Sequence, residues 1–391
     1  MCPVLLLSVV LTSRYSGAQI TDPATSHLTY RFLEPGAEAS LSFELNANKV
    51  YLPVRIDKAG PYWFILDTGS VSDAVDTETA KSLNIKLSHP FEASGGGEKS
   101  VTAAKGSNVT IDIGDLELRQ SEVDVEPVSA AISAAEGRTV DGLLGYDFLS
   151  RFIVEIDYAN RRVSVRDPNG FRYSGAGEVI PIEITRGNIF VSTYLTLPDR
   201  KRASGMFMVD TGWRSALTLT SPFVANQELT TAVPKTVEAV TGMGIGGPTI
   251  DTIARMPGLK LGRYEVENFV ADFSHAKGGV LSQVDFAGII GAEILRRFKV
   301  TFDYPHHRMI LETNAAFRAP YEFDMSGLFV TSDGATFKAF KVYNVIKDSP
   351  GAQAGIQEGD VIVAIDDRPA SDFTLEEIRQ MFKETEGKSV S

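Results

Sequence analysis

Residues 64–70 read Phe-Ile-Leu-Asp-Thr-Gly-Ser, and residues 207–213 read Phe-Met-Val-Asp-Thr-Gly-Trp. Each is an apolar triplet ending on an aspartate, a threonine and a glycine. A short apolar run stopped by a glycine reads as a buried strand that delivers a carboxylate at its end. Each is followed by a second block of two apolar residues and a glycine. Gly145, after Leu143 and Leu144, lies 78 residues beyond Asp67, and Gly291, after Ile289 and Ile290, lies 81 beyond Asp210. The likeness spreads outward from there. Residues 142–165 and 288–311 align without gaps at an offset of 146, and Ile111-Asp-Ile-Gly114 pairs with Leu259-Lys-Leu-Gly262. Ordered blocks at near-constant spacing mean a duplicated unit. Its period is far longer than the 20–50 residues of stacked repeats, so the copies are domain-sized lobes.

One Asp-Thr-Gly is ordinarily a turn, since Asp and Gly are common turn residues. Two of them in register within a duplicated unit argue for a shared site. Two carboxylates brought together cannot both ionise easily, so one keeps a proton. The ionised one can act as general base on a water, and the protonated one can donate to a carbonyl oxygen. That is amide hydrolysis with no covalent intermediate and no cofactor. The threonine hydroxyls can bond across to the opposite loop and hold the pair rigid.

These motifs resemble the two halves of a pepsin/retropepsin-type aspartic peptidase, over roughly residues 40–315. The resemblance implies a mainly β fold, two acid-protease-like β-barrel lobes at 40–168 and 176–315, with Asp67 and Asp210 as the catalytic pair. It makes Thr68, Gly69, Ser70, Thr211, Gly212 and Trp213 supporting residues, and has the Leu143–Gly145 and Ile289–Gly291 blocks cross the catalytic strands in a psi-shaped path. With both lobes in one chain, a monomer suffices for catalysis. Two departures stand out. Ser70 matches the small residue expected after the glycine, but Trp213 has no hydroxyl to offer the outer carboxylate oxygen and would wall the cleft with an indole. Glycine-rich stretches at 94–97 and 242–247 sit where substrate-covering flaps fall, yet neither carries a flap tyrosine.

Residues 323–391 resemble a PDZ domain of the kind attached to bacterial proteases, carried by Ser326-Gly-Leu-Phe-Val330, by the stretch 345–366 and by a helix after Thr374. The resemblance implies that the loop Ser326, Gly327, Leu328 and Phe329 offers backbone N–H groups to a peptide C-terminus, and that one more strand is expected beyond Ser391. Residues 361–365 read as a buried strand, and Thr374-Leu-Glu-Glu377 as a capping box opening a helix.

The rest of the chain narrows the class. With 38 basic against 50 acidic side chains, nothing supplies a basic stripe for nucleic acid. A single cysteine, Cys2, excludes a disulfide framework, and no H-E-x-x-H occurs. His306-His307 reads as a solvated turn. Residues 242–247 match G-x-G-x-x-G, but Pro248 comes next and the residues after it read as a strand, against a dinucleotide site. The apolar run 3–12 is too short to span a bilayer as a helix. With Ser16-Gly-Ala18 after it, it reads as a signal peptide cut after residue 18, although no basic residue precedes the run; a buried strand is the alternative. The expectation is an exported aspartic endopeptidase with a peptide-recruiting module and no metal, its rival a catalytically dead scaffold of the same fold that binds peptides.

Overall fold

The computed structural model describes residues 28–34, 36–233 and 235–391, so the apolar leader and Cys2 lie outside the described residues. Each lobe is built on one mixed sheet. In the first, the strand Ala59–Leu66 runs parallel to Gly142–Leu144, which in turn runs antiparallel to Ala74–Asp76. In the second, Arg202–Asp210, Gly288–Gly291 and Leu217–Leu219 repeat that arrangement. Ile65 stands opposite Leu143 and Met208 opposite Ile289, so both copies share one register. The inserted strands are buried on both faces, which is why they read as continuous apolar runs rather than alternating ones.

The hairpin Ile153–Asp157/Arg162–Arg166 does not stay in its own lobe. It pairs antiparallel with Phe298–Asp303 of the other copy, inside one six-stranded sheet that also takes in Glu38–Ser42, Glu178–Pro181 and Arg308–Thr313. Alternation explains the merger. Val154, Ile156, Val163 and Val165 form one apolar face, and Val300, Phe302, Met309 and Leu311 another; joined, both faces enter a single core.

Each lobe's sheet ends in a long hairpin: Leu87–Ala93 with Val101–Ile113, and Thr236–Gly244 with Gly247–Leu261. Their tips meet. The Gly97 N–H donates to the Ile245 carbonyl at 2.9 Å and the Lys99 N–H to the Gly246 carbonyl at 3.2 Å. A β-carbon on Gly97 would overlap the Gly246 backbone, so glycine is what allows the two tips to close.

The C-terminal module has its own small core, including Val330, Phe340, Phe373, Leu375 and Ile378. Strands Leu328–Asp333, Ala339–Val345 and Val361–Ile362 form its sheet, and helix Leu375–Met381 starts at the Thr374/Glu377 capping box. The expected buried strand over 361–365 is instead split after Ile362, and Val361 and Val363 are 59% and 79% exposed. Ile365 lies in the core and Ile362 packs partly against it, and the break at Val363 interrupts the face that an unbroken strand would have buried.

This module rests on a first-lobe helix, Val128–Glu136. The Ser332 hydroxyl donates to the Ala134 carbonyl at 3.0 Å, and Arg379 donates to the Ala135 carbonyl. Leu375 packs on Gly137, whose φ of +72° closes the helix C-terminus in the left-handed region. No helix among the described residues is long and apolar enough to cross a membrane.

Candidate active site

Asp67 and Asp210 end their strands at the junction of the two lobes, hydrogen-bonded to one another through their carboxyl groups. The Gly69 N–H donates to Asp67 Oδ1 at 2.8 Å, and the Gly212 N–H to Asp210 Oδ1 at 2.7 Å. Any β-carbon on Gly69 would overlap the Asp210 carboxylate, and one on Gly212 would overlap Asp67. Those glycines are therefore the condition for the two acids to meet.

Beneath the pair the threonines exchange bonds across the lobes. Thr68 Oγ1 donates to the Val209 carbonyl at 2.8 Å and accepts from the Thr211 N–H at 3.0 Å. Thr211 Oγ1 donates to the Leu66 carbonyl at 2.6 Å and accepts from the Thr68 N–H at 3.1 Å. Four hydrogen bonds satisfy these buried groups reciprocally, so neither loop can shift without leaving the other unpaired.

Burial pushes both carboxyls upward. Asp210 goes well above the usual range, because the charge and hydrogen bond of Asp67 add to its burial. Asp67 rises less, held back by its hydrogen bond to Asp210, the Gly69 N–H and the positive Lys49. The two carboxyls therefore retain one proton between them.

The residues after each glycine differ in place and partner. Ser70 Oγ donates to the Ser72 carbonyl at 2.8 Å, so its hydroxyl does not serve the Asp67 carboxylate. Trp213 lines the cleft, donating Nε1–H to Thr218 Oγ1 at 2.7 Å. Its ring lies directly under the Gly96 flap tip, so that a β-carbon there would sit 2.8 Å from Cζ3. The indole is a fixed support beneath the closed flaps and leaves the pair's own bonds intact.

The cleft between flaps and pair has a volume of about 480 Å³. Its second-lobe wall is apolar, with Phe190, Met208, Phe286 and Ile289 in one cluster. Its first-lobe wall combines Val128 and Ile132 with charge. Lys49 Nζ pairs with Glu136 Oε1 at 2.8 Å, and the Tyr51 hydroxyl donates to Glu136 Oε2 at 2.7 Å. Glu126 also faces the cleft, its carboxyl pushed up to about 7 by burial and by the charges of Asp124 and Asp67. Lys49, Tyr51, Glu126 and Glu136 are not among the residues expected from sequence. The helix carrying Glu136 has one legible signal, the run Val-Ser-Ala-Ala-Ile-Ser-Ala-Ala-Glu over 128–136, rich in the best helix former.

The peptide-binding loop departs from expectation. The amides of Ser326 and Gly327 donate at 2.8 and 2.9 Å to Asp324 Oδ1 of the same loop, and the Leu328 N–H donates to Ser326 Oγ at 3.1 Å. Amides expected to face an incoming carboxylate are satisfied by a neighbour two or three residues away, a local side-chain bond that costs no chain closure. Phe329 packs under the Arg214 guanidinium, 5.7 Å from its ring centre. Arg214 in turn donates to the Thr241 carbonyl of the second flap hairpin at 3.1 Å. Elsewhere, His306 Nδ1 shares a hydrogen bond with Asp303 Oδ1 in a hairpin turn, and no metal-holding group of His, Cys, Asp and Glu occurs among the described residues.

Residues 52–148 match the family model described as aspartyl protease, and residues 341–391 match the PDZ domain. The first match spans the first Asp-Thr-Gly and its Leu-Leu-Gly partner; the second lobe is its internal duplicate. Among solved structures, an aspartic proteinase from Irpex lacteus aligns over 72% of this chain and 99% of that chain, at 14% identity and a TM-score of 0.49. No curated protein matches the chain. The chain carries an aspartyl protease domain and a C-terminal PDZ domain.

Proposed function

We propose that this chain is an aspartic endopeptidase in which Asp67 and Asp210 activate water for attack on a peptide bond. The observation that carries the reading is the hydrogen-bonded carboxyl pair held by reciprocal threonines at the base of a roofed cleft. Asp67 takes a proton from the water as its oxygen bonds to the carbonyl carbon. Asp210 gives its proton to the carbonyl oxygen, producing a neutral tetrahedral diol. Asp67 gives its proton to the amide nitrogen as the C–N bond breaks, and a hydroxyl of the diol returns its proton to Asp210, which releases a carboxylic acid and an amine and restores the singly protonated pair. Loss of the shared proton at higher pH ends turnover, so acidic to mildly acidic pH is favoured.

Substrates on this reading are extended peptide segments, their apolar side chains set against Phe190, Phe286 and Ile289. The groove between Leu328–Asp333 and Leu375–Met381 is where recruitment of a peptide would occur, with Asp324 displaced from the loop amides. The reading also takes the chain to be exported and to act as a monomer, on the strength of the leader-like residues 1–18 and of two lobes in one chain.

The test is cleavage of a denatured protein mixture between pH 3 and 8, with and without pepstatin. Pepstatin-sensitive cleavage that vanishes in Asp67→Asn is expected. Peptide binding without cleavage at any pH would favour the inactive scaffold, the second reading that Trp213 raises.

A further inference from the structure

Lys49 is a buried cation in a cleft whose other charged groups are mostly acids. It is 6% exposed, and it lines the same cavity as Asp67 and Asp210. A buried ammonium is costly unless paired, and Glu136 supplies the pair at 2.8 Å. The pair is supported on every side. Burial alone would push the Glu136 carboxyl up, but Lys49, Arg214 and the Tyr51 hydroxyl together bring it below its ordinary value. Arg138 stacks on the Tyr51 ring at 4.2 Å, and Asn46 Nδ2 donates to the Glu136 carbonyl at 2.8 Å. From outside, Arg379 of the PDZ helix bonds the carbonyl of the preceding residue, Ala135.

The second lobe lacks this device. Tyr51 opposite Ile65 corresponds in register to Phe190 opposite Met208, which sets Asn188 at the place of Lys49. Asn188 instead donates Nδ2 to the Gly69 carbonyl at 2.8 Å. Stability alone does not call for a charge here, since the second lobe fills the matching space with neutral groups.

We propose that Lys49, held in the cleft wall by Glu136, is a positioning residue whose positive field sets the pH range over which the aspartate pair keeps a single proton. The ammonium favours the ionised carboxylate on both acids and so draws the working range toward lower pH. The groups facing it are Glu136 from the helix, Tyr51 from its own strand, and Asp67 and Asp210 from the two strand ends; Arg214 and Arg379 act on Glu136 from farther out. Because the PDZ domain grips the helix that carries Glu136, that domain also helps fix where the ammonium stands.

The inference rests on the hydrolytic reading of the pair, so its test uses two readouts in the full chain. The first is the pH profile of kcat/KM for Lys49→Met, Lys49→Asn and Lys49→Arg. Both limbs are expected to move to higher pH by about one unit in the neutral variants and to stay in place in Lys49→Arg. The second is the carboxyl carbon titration of 13C-labelled aspartate, assigned with Asp67→Asn and Asp210→Asn, which needs no turnover. If Lys49→Met melts below the assay temperature, Lys49→Asn, the second lobe's own residue, carries the comparison. A neutral variant that titrates like the wild type overturns the inference. If the wild type cleaves nothing yet the carboxyl titrations still move in the neutral variants, the hydrolase reading falls and the role of Lys49 stands.

Discussion

The two lobes are copies in their backbone and opposites in their lining. Strand, threonine, glycine and inserted strand repeat residue for residue, and they hold the acids in a nearly symmetric frame. The residues just beyond the motif, and those that wall the cleft, do not repeat. The first lobe continues with Ser70 turned back on its own loop and places a charged Lys49–Glu136–Tyr51 cluster beside the pair. The second continues with Trp213 under the flaps and Arg214 reaching the PDZ loop, and it walls its half with aromatic and aliphatic side chains. Chemistry common to both halves demands equality at the acids. The C-terminal domain rests on the first-lobe helix Val128–Glu136 and meets the second lobe through Arg214, so the residues beyond the motif face different surroundings in the two copies.

The comparison can be broken most severely at its centre. Asp67→Asn and Asp210→Asn are each expected to lower kcat by about 10²–10⁴-fold with little change in melting temperature, measured on a fluorogenic peptide. If only one of the two were needed, the symmetric reading of the acids would fail. Next come the threonines. Thr68→Val and Thr211→Val each strand a buried N–H and a buried carbonyl, so each is expected to cost about 1–3 kcal/mol in denaturant unfolding. Equal losses sharpen the symmetry, and a loss confined to one lobe breaks it.

Smaller effects test the asymmetric half. Trp213→Ser makes the second motif like the first and removes the support under Gly96. KM is expected to rise about tenfold, matching about 1.4 kcal/mol of lost contact, with kcat within a factor of about two. A fall in kcat equal to the rise in KM would instead make the indole part of the reacting centre. The gentlest test compares the two flap tips. Gly96→Ala drives a methyl into the indole, whereas at Gly244 the nearest atom to a new β-carbon is 3.5 Å away. A KM rise of about threefold is expected for the first and none for the second, a gap of about 0.6 kcal/mol.

Legibility in the sequence divides along the same line. The repeated parts announce themselves, because burial on both faces and a glycine at a close approach leave few residue choices at Phe64–Gly69 and Phe207–Gly212. The shared sheet is half visible. Both hairpins can be read from the alternation at 153–166 and 298–313, but alternation fixes which face is apolar and not which neighbour covers it. Lys49 and Glu136 are invisible, since they are far apart in sequence and meet only when the helix Val128–Glu136 folds against the strand Lys49–Ile56. The PDZ loop reads as open because Asp324 lies outside the motif that marks it.

That last bond has a quantitative consequence. Asp324 is a competitor tethered two residues from the amides it occupies, so its effective concentration at that loop is on the order of millimolar or more. A free chain end at micromolar levels cannot outcompete it on amide contacts alone. One already held nearby, by a substrate whose body lies in the cleft, competes on nearly equal terms. Such a loop would respond to chains already held in the cleft and ignore the far larger population of ends passing through solution.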